Sequence, residues 1–143
     1  MIDVRVAHWS KRSDCRALKA IRYEVFVNEQ QVPEAEEMDA FDETSMHLLA
    51  SYVESGFIGC ARIMPSGQIG RMAVLKNFRG RGVGSRLMQA AITQAKQHRF
   101  ASLFLHAQCH AESFYAQFGF IACGEVFEEA GIRHVKMTLP ANL

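Results

Sequence analysis

The segment from Met72 to Ser85 constrains this chain most. Met72-Ala73-Val74 closes a run of strand character, and Gly80, Gly82 and Gly84 then alternate through the expected first turn of a long helix. Glycine in a helix costs about 1 kcal/mol relative to alanine, so three together need a reason. Without a Cβ, the backbone N–H groups can approach an anion closely, and a helix N-terminus offers unpaired donors at the positive end of its dipole. Arg79 and Arg81 add charge. The expected ligand is a pyrophosphate, cradled by Arg79, Gly80, Arg81, Gly82, Val83, Gly84 and Ser85. A Walker loop requires a lysine after its last glycine, and a dinucleotide loop requires glycine where Ser85 stands and an opening βαβ unit, so neither pattern fits.

Periodicity supplies the surroundings of that loop. Ile2–His8 alternates apolar and polar residues and predicts a strand. Leu18, Ile21, Val25 and Phe26 predict an amphipathic helix over 13–29, capped by Ser10 or Ser13 and stopped before Pro33. Strands follow at Met46–Val53, Phe57–Met64 and Gln68–Val74, with turns at Ser55-Gly56 and Pro65-Ser66-Gly67, making an antiparallel meander. Gly80–Arg99 is the strongest helix, Ser102–Ala107 a short central strand, and Ala111–Phe118 a short helix ended by Gly119. Strands at Phe120–Val126 and Arg133–Leu139 close the chain around an acidic turn, Glu128-Glu129-Ala130-Gly131. The order predicts one α/β domain over 1–143, a mostly antiparallel twisted sheet with helices on both faces.

Charge is segregated. Tyr23–Ala61 has nine acids and no lysine or arginine, whereas Ser55–Ala111 has eight bases and no acid. The middle is suited to an anion, and most of the acids are expected on a solvated loop. With 143 residues, 49% of them hydrophobic, the chain can bury a core without disulfide help. No apolar run approaches the ~18 residues of a membrane span, and no secretory layout opens the sequence, so a cytoplasmic protein without a membrane partner is expected. The cysteines, Cys15, Cys60, Cys109 and Cys123, include no C-x-x-C and read as reduced thiols. A metal site at His106-x-x-Cys109-His110 is not expected.

Four motifs in order resemble the GNAT superfamily of N-acetyltransferases, in its ElaA-like branch. Arg79-x-x-Gly82-x-Gly84 matches the superfamily's [QR]-x-x-G-x-[GA], and Ala111-x-x-Phe114-Tyr115-x-x-x-Gly119-Phe120 matches A-x-x-F-Y-x-x-x-G-F. The branch contributes Arg22-Tyr23-Glu24-Val25-Phe26-Val27-Asn28-Glu29-Gln30, and Gly124-Glu125-Val126-Phe127 followed by Gly131-Ile132-x-His134-x-x-Met137. Gln108 stands where the family often has a pantetheine-contacting Asn, and Arg133 where the branch often has Pro.

The resemblance implies a GNAT fold, acetyl-CoA as co-substrate, and direct attack by an amine, either a small molecule or a peptide lysine. It implies that Met72, Ala73 and Val74 present backbone donors to the thioester, where one aimed donor is worth ~3 kcal/mol. Gln108 would touch the pantetheine, and Tyr115 would protonate the leaving thiolate. His134 is the first candidate for the base that accepts the ammonium proton, a glutamate acting through water, Glu29 or Glu24, the second, and His106 on the central strand a further one. Arg22 and Arg71, with Glu24, are candidates for binding an acceptor that carries a carboxylate. A non-catalytic acyl-CoA sensor is the alternative. Nucleic acid is not an expected partner, because the Arg-Gly pair lacks interleaved aromatics. Edge strands of the last hairpin could pair two copies as a homodimer.

Overall fold

The computed structural model describes residues 1–37 and 39–140. One seven-stranded sheet runs in the order β1-β2-β3-β4-β5-β7-β6. The strands are β1 (Ile2–Ala7), β2 (Met46–Tyr52), β3 (Gly56–Ile63), β4 (Gln68–Val74), β5 (Leu103–Gln108), β6 (Ile121–Glu129) and β7 (Ile132–Leu139). All neighbours are antiparallel except β4 and β5. Helix α1 (Arg12–Arg22) runs into a π-helical segment, Tyr23–Glu29, then α2 (Glu34–Glu37), α3 (Val83–Gln97) and α4 (Glu112–Ala116).

Helices cover both faces of the sheet, as the alternation along its strands requires. Leu87, Met88, Ala91 and Ala95 of α3 bury against Leu48, Ala50, Ile58 and Ile63. On the opposite face Leu18, Ile21 and Val25 pack on Leu49, Cys60 and Ala73. Adjacent Leu48 and Leu49 thus serve different layers, the consequence of a side-chain period of two. Each fully buried leucine contributes about 2 kcal/mol. Gly59 lets α3 sit close: a Cβ there would lie 3.1 Å from Val83 Cγ1 and 3.2 Å from Leu87 Cδ1.

Two features distinguish β4 from the other strands. The first is a bulge. Cys60 opposes Ala73 and Arg62 opposes Gly70, so Arg71 and Met72 face the single residue Ala61. Arg71 takes φ +48°, and the extra residue bends the strand. Burial pushes the Cys60 thiol up to about 12, and it donates to the Arg71 carbonyl at 3.3 Å. The second is a short ladder. Strands β4 and β5 pair only at Gln68 with Phe104 and Ile69 with Leu105. Beyond that point β4 stays with β3, β5 stays with β7, and the sheet opens between them.

Several sequence expectations shift. The expected single helix over 13–29 is α1 plus the π-helical turn, which apolar spacings of three and four cannot distinguish. Neither serine caps α1. Lys11 stands at the N-cap without a side-chain bond, while buried Asp14 accepts the His8 N–H at 3.0 Å and Arg5 at 2.7 and 3.1 Å. The Arg5 contact holds the Asp14 carboxyl well below the usual range despite burial. Helix α3 starts at Val83 because Gly80 and Gly82 take φ +76° and +84°. The last turn is only Ala130-Gly131, at φ +53° and +76°, and Glu128 and Glu129 belong to β6. Strand β5 is interior, but β4 occupies the middle of the sheet.

Candidate active site

The opening between β4 and β5 joins two differently built halves. One is the start of α3. Gly82 in a left-handed conformation ends the loop, and no side chain caps the helix. The first intrahelical acceptor used is Gly82 O, by Arg86 N at 3.0 Å, which leaves the N–H groups of Val83, Gly84 and Ser85 without helical partners. A Cβ at Gly80 or Gly82 would meet nothing within 4 Å, so both glycines serve the turn and face open space. Gly84 has another role: its Cβ would lie 3.4 Å from Phe114 Cζ, so its bareness lets α4 approach. Arg81 lies over the Phe78 ring at 5.4 Å. Bare backbone donors, a dipole and a cation beside open space suit a diphosphate.

On β4, Leu75 N–H donates to Ile58 O on β3 at 2.8 Å. By alternation, Val74 directs its N–H group toward the side that β5 has left, and Met72 stands in the bulge beside it. Ala73 is buried beneath α1.

The other half is a cleft of about 510 Å³ that takes in Met72, Gln108, Tyr115 and His134. Tyr115 stands on α4, and burial raises its hydroxyl above the usual range, so it is protonated at neutral pH and can donate. His134 is buried on β7 opposite Gln108 and stacked on Phe127. Its Nδ1 lies 2.7 Å from Ile132 O, which only accepts, so Nδ1 carries a hydrogen, and in the neutral ring the lone pair is then on Nε2. His106 also lines the cleft, with Nδ1 3.0 Å from Glu129 Oε2.

The floor of this cleft is an ionic network. Arg22 Nε reaches Glu37 at 2.6 Å, and its Nη atoms reach Asp42 at 2.9 and 3.1 Å. Arg62 binds Asp39 at 2.8 Å and Asp42 at 3.0 Å. Arg71 reaches the Glu37 carboxylate at 3.2 Å and Asp39 at 3.1 Å. Burial alone would raise the Asp42 carboxyl, but Arg22 and Arg62 hold it below its usual range; Asp39 is lowered in the same way by Arg62 and Arg71. His47 is also sealed in: its Nε2 meets Asp42 O at 2.8 Å, and its Nδ1 has no partner. Burial depresses its pKa, so it is neutral.

These contacts correct three expectations. Arg22 is 1% exposed and fully engaged, so it binds no acceptor. Glu24 is paired with Asn28 on the outer surface and does not line the cleft. Glu29 does not line it either; it forms a bidentate pair with Arg79 at 2.8 and 2.9 Å. Most of the nine acids are exposed, as expected of a solvated segment; Glu37 and Asp42 are the buried exceptions. Arg71 does line the cleft, its Nη2 bonded to Asp39 and to the Glu37 carbonyl while its Nε, 3.2 Å from the Glu37 carboxylate, makes no hydrogen bond. Sequence reasoning missed Gln30, Glu37, Asp39, Asp42, Arg62 and Glu129. The one signal in the sequence was three arginines, Arg22, Arg62 and Arg71, flanking a long stretch with no cation of its own.

The chain matches the family described as Acetyltransferase (GNAT) domain over residues 11–141. It belongs to the GNAT acetyltransferases. It is 35% identical to Protein ElaA of Escherichia coli strain K12, covering 96% of this chain and 95% of that protein. The crystal structure of Escherichia coli ElaA superposes with a TM-score of 0.87 at 34% identity, over 97% of this chain and 99% of the other. An acyl-CoA N-acyltransferase from Pseudomonas aeruginosa gives 0.87 at 30% identity, with the same coverage. Membership of the GNAT acetyltransferases supports acyl transfer from an acyl-CoA as the activity of this fold. Among the described residues, no helix is long and apolar enough to cross a membrane, and no group of three or more His, Cys, Asp or Glu side chains could hold a metal ion.

Proposed function

We propose that the protein is an N-acetyltransferase that joins acetyl-CoA and a primary amine in one ternary complex. A GNAT family structure from Elizabethkingia anophelis, of the same fold, has acetyl-CoA bound. The observation that carries this reading is the opening between β4 and β5, with the glycine-built start of α3 on one side and a cleft lined by Tyr115 and His134 on the other. Acetyl-CoA supplies the acyl group as a thioester, activated toward amines. The N–H groups of residues 79–85 and the Arg81 charge would hold its diphosphate, and Gln108 its pantetheine. The N–H group of Val74, beyond the point where β4 leaves β5, suits a developing oxyanion, with Met72 beside it in the bulge.

Tyr115 donates a hydrogen bond toward the leaving sulfur; its raised pKa keeps it protonated for that task. His134 Nε2 has the lone pair needed to accept the proton that the attacking nitrogen loses. Charge in the cleft supports a cationic acceptor, a small amine or a peptide lysine. Arg22, Arg62 and Arg71 are balanced by Glu37, Asp39 and Asp42. Glu36 and Glu129 add two further carboxylates to the lining, Glu129 beside His106.

Thiol release measured with acetyl-CoA and a panel of amines tests the reading. Wild type should turn over amines, and Tyr115→Phe should lower kcat by ~10²-fold with acetyl-CoA affinity retained. Full-rate turnover of Tyr115→Phe removes Tyr115 from the mechanism. Tight CoA binding without release for any amine would favour a sensor.

A further inference from the structure

The π-helical segment ends on two neighbouring side chains that reach opposite sides of the opening. Glu29 holds Arg79, whose Nε donates in turn to Val74 O at the end of β4, 2.9 Å away. Gln30 accepts a hydrogen bond from Gln108 Nε2, on the last residue of β5, at 3.2 Å. Residues 29 and 30 therefore bridge β4 and β5 where the two strands share no ladder bonds. A π-helical turn brings both side chains to these targets, and such turns recur at functional sites. Three of the five N–H bonds of Arg79 are used in these contacts, and its charge is matched by Glu29. Phe26, Gln30 and Val32 also form one wall of the cleft.

We propose that Glu29 is a positioning residue. Through Arg79 it fixes the end of β4 and the first residue of the diphosphate cradle, and it ties both to the wall of the acceptor cleft. This rests on the acetyltransferase reading. It gives Glu29 a task other than proton transfer, and it makes Arg79 a strut before it is an anion ligand.

The test is a double-mutant cycle on the full-length protein. CoA affinity is measured by titration calorimetry for wild type, Glu29→Gln, Arg79→Lys and the double variant. The acidic limb of the pH–rate profile is recorded for Glu29→Gln. Both side chains are exposed, so the variants should fold, which thermal melts confirm. For a bidentate but exposed pair, each single change should weaken CoA binding about three- to tenfold, and the double should be no weaker than the worse single. The acidic limb should stay where wild type has it. Single effects that multiply in the double variant, or wild-type affinity in Glu29→Gln, would overturn the strut. Loss of the acidic limb at unchanged affinity would return Glu29 to the role of base. If wild type binds no CoA, the acetyltransferase reading falls and the strut with it; additive effects in an active enzyme sink the strut alone.

Discussion

The two halves of the site solve opposite problems with opposite materials. The cradle is built from absence: two left-handed glycines, an uncapped helix start and open space where side chains would stand. The floor of the acceptor cleft is built from excess, with three arginines and three carboxylates interlocked and mostly buried. The cradle needs only local backbone geometry. The cleft floor needs α1, α2, the loop before β2, β3 and β4 to arrive together, because each guanidinium draws its partners from distant parts of the chain. A local device tolerates change around it, whereas a buried network fails as a unit.

The largest test of that contrast is Arg22→Ala. It leaves Glu37 and Asp42 buried without their main partner, and about 3–5 kcal/mol of stability should be lost. Chemical denaturation read by circular dichroism measures it, and a loss under about 1 kcal/mol would show that the network is not cooperative. Next is Gly82→Asp. At φ +84° a side chain is strained, and its charge faces the cradle, so CoA affinity should drop at least ~100-fold while the fold survives. Calorimetry with CoA reads this, and unchanged affinity would refute the cradle. His134→Gln should come third, flattening the acidic limb of the pH–rate profile while leaving CoA affinity intact; a preserved limb takes the base role from His134.

The smallest effect concerns pH and stability. Burial depresses the His47 pKa, so as pH falls below the unfolded value of about 6.5 the unfolded chain takes up a proton that the folded chain refuses. Stability should therefore decline from about pH 7 toward pH 5. His47→Gln, which can keep a donor toward Asp42 O, should flatten that slope in thermal melts; an unchanged slope assigns it elsewhere. Asp14, Asp39 and Asp42 act lower on the scale. Their folded pKa values are depressed, so their contribution is complete above the ordinary carboxylate range and disappears as pH falls through the folded values.

The sequence by itself determined the strands, the long helix and the glycine-rich junction that opens it. Their signals are local: alternation along β1 and β4, the face of Leu87, Met88, Ala91 and Ala95, and glycines at a strand–helix junction each depend on neighbours within a turn or two. Tyr115 and His134 could be named as candidates because their motifs are contiguous, and both line the cleft. Only the tertiary structure decided that Arg22 is a buried tie and not an acceptor contact, that Glu29 belongs to Arg79, and that Gln30 reaches Gln108. Those partners lie from 15 to 78 positions apart. A carboxylate or guanidinium looks the same in sequence whether water or a counter-ion awaits it. The choice is made by burial, which turns an exposed charge into one that must find its mate.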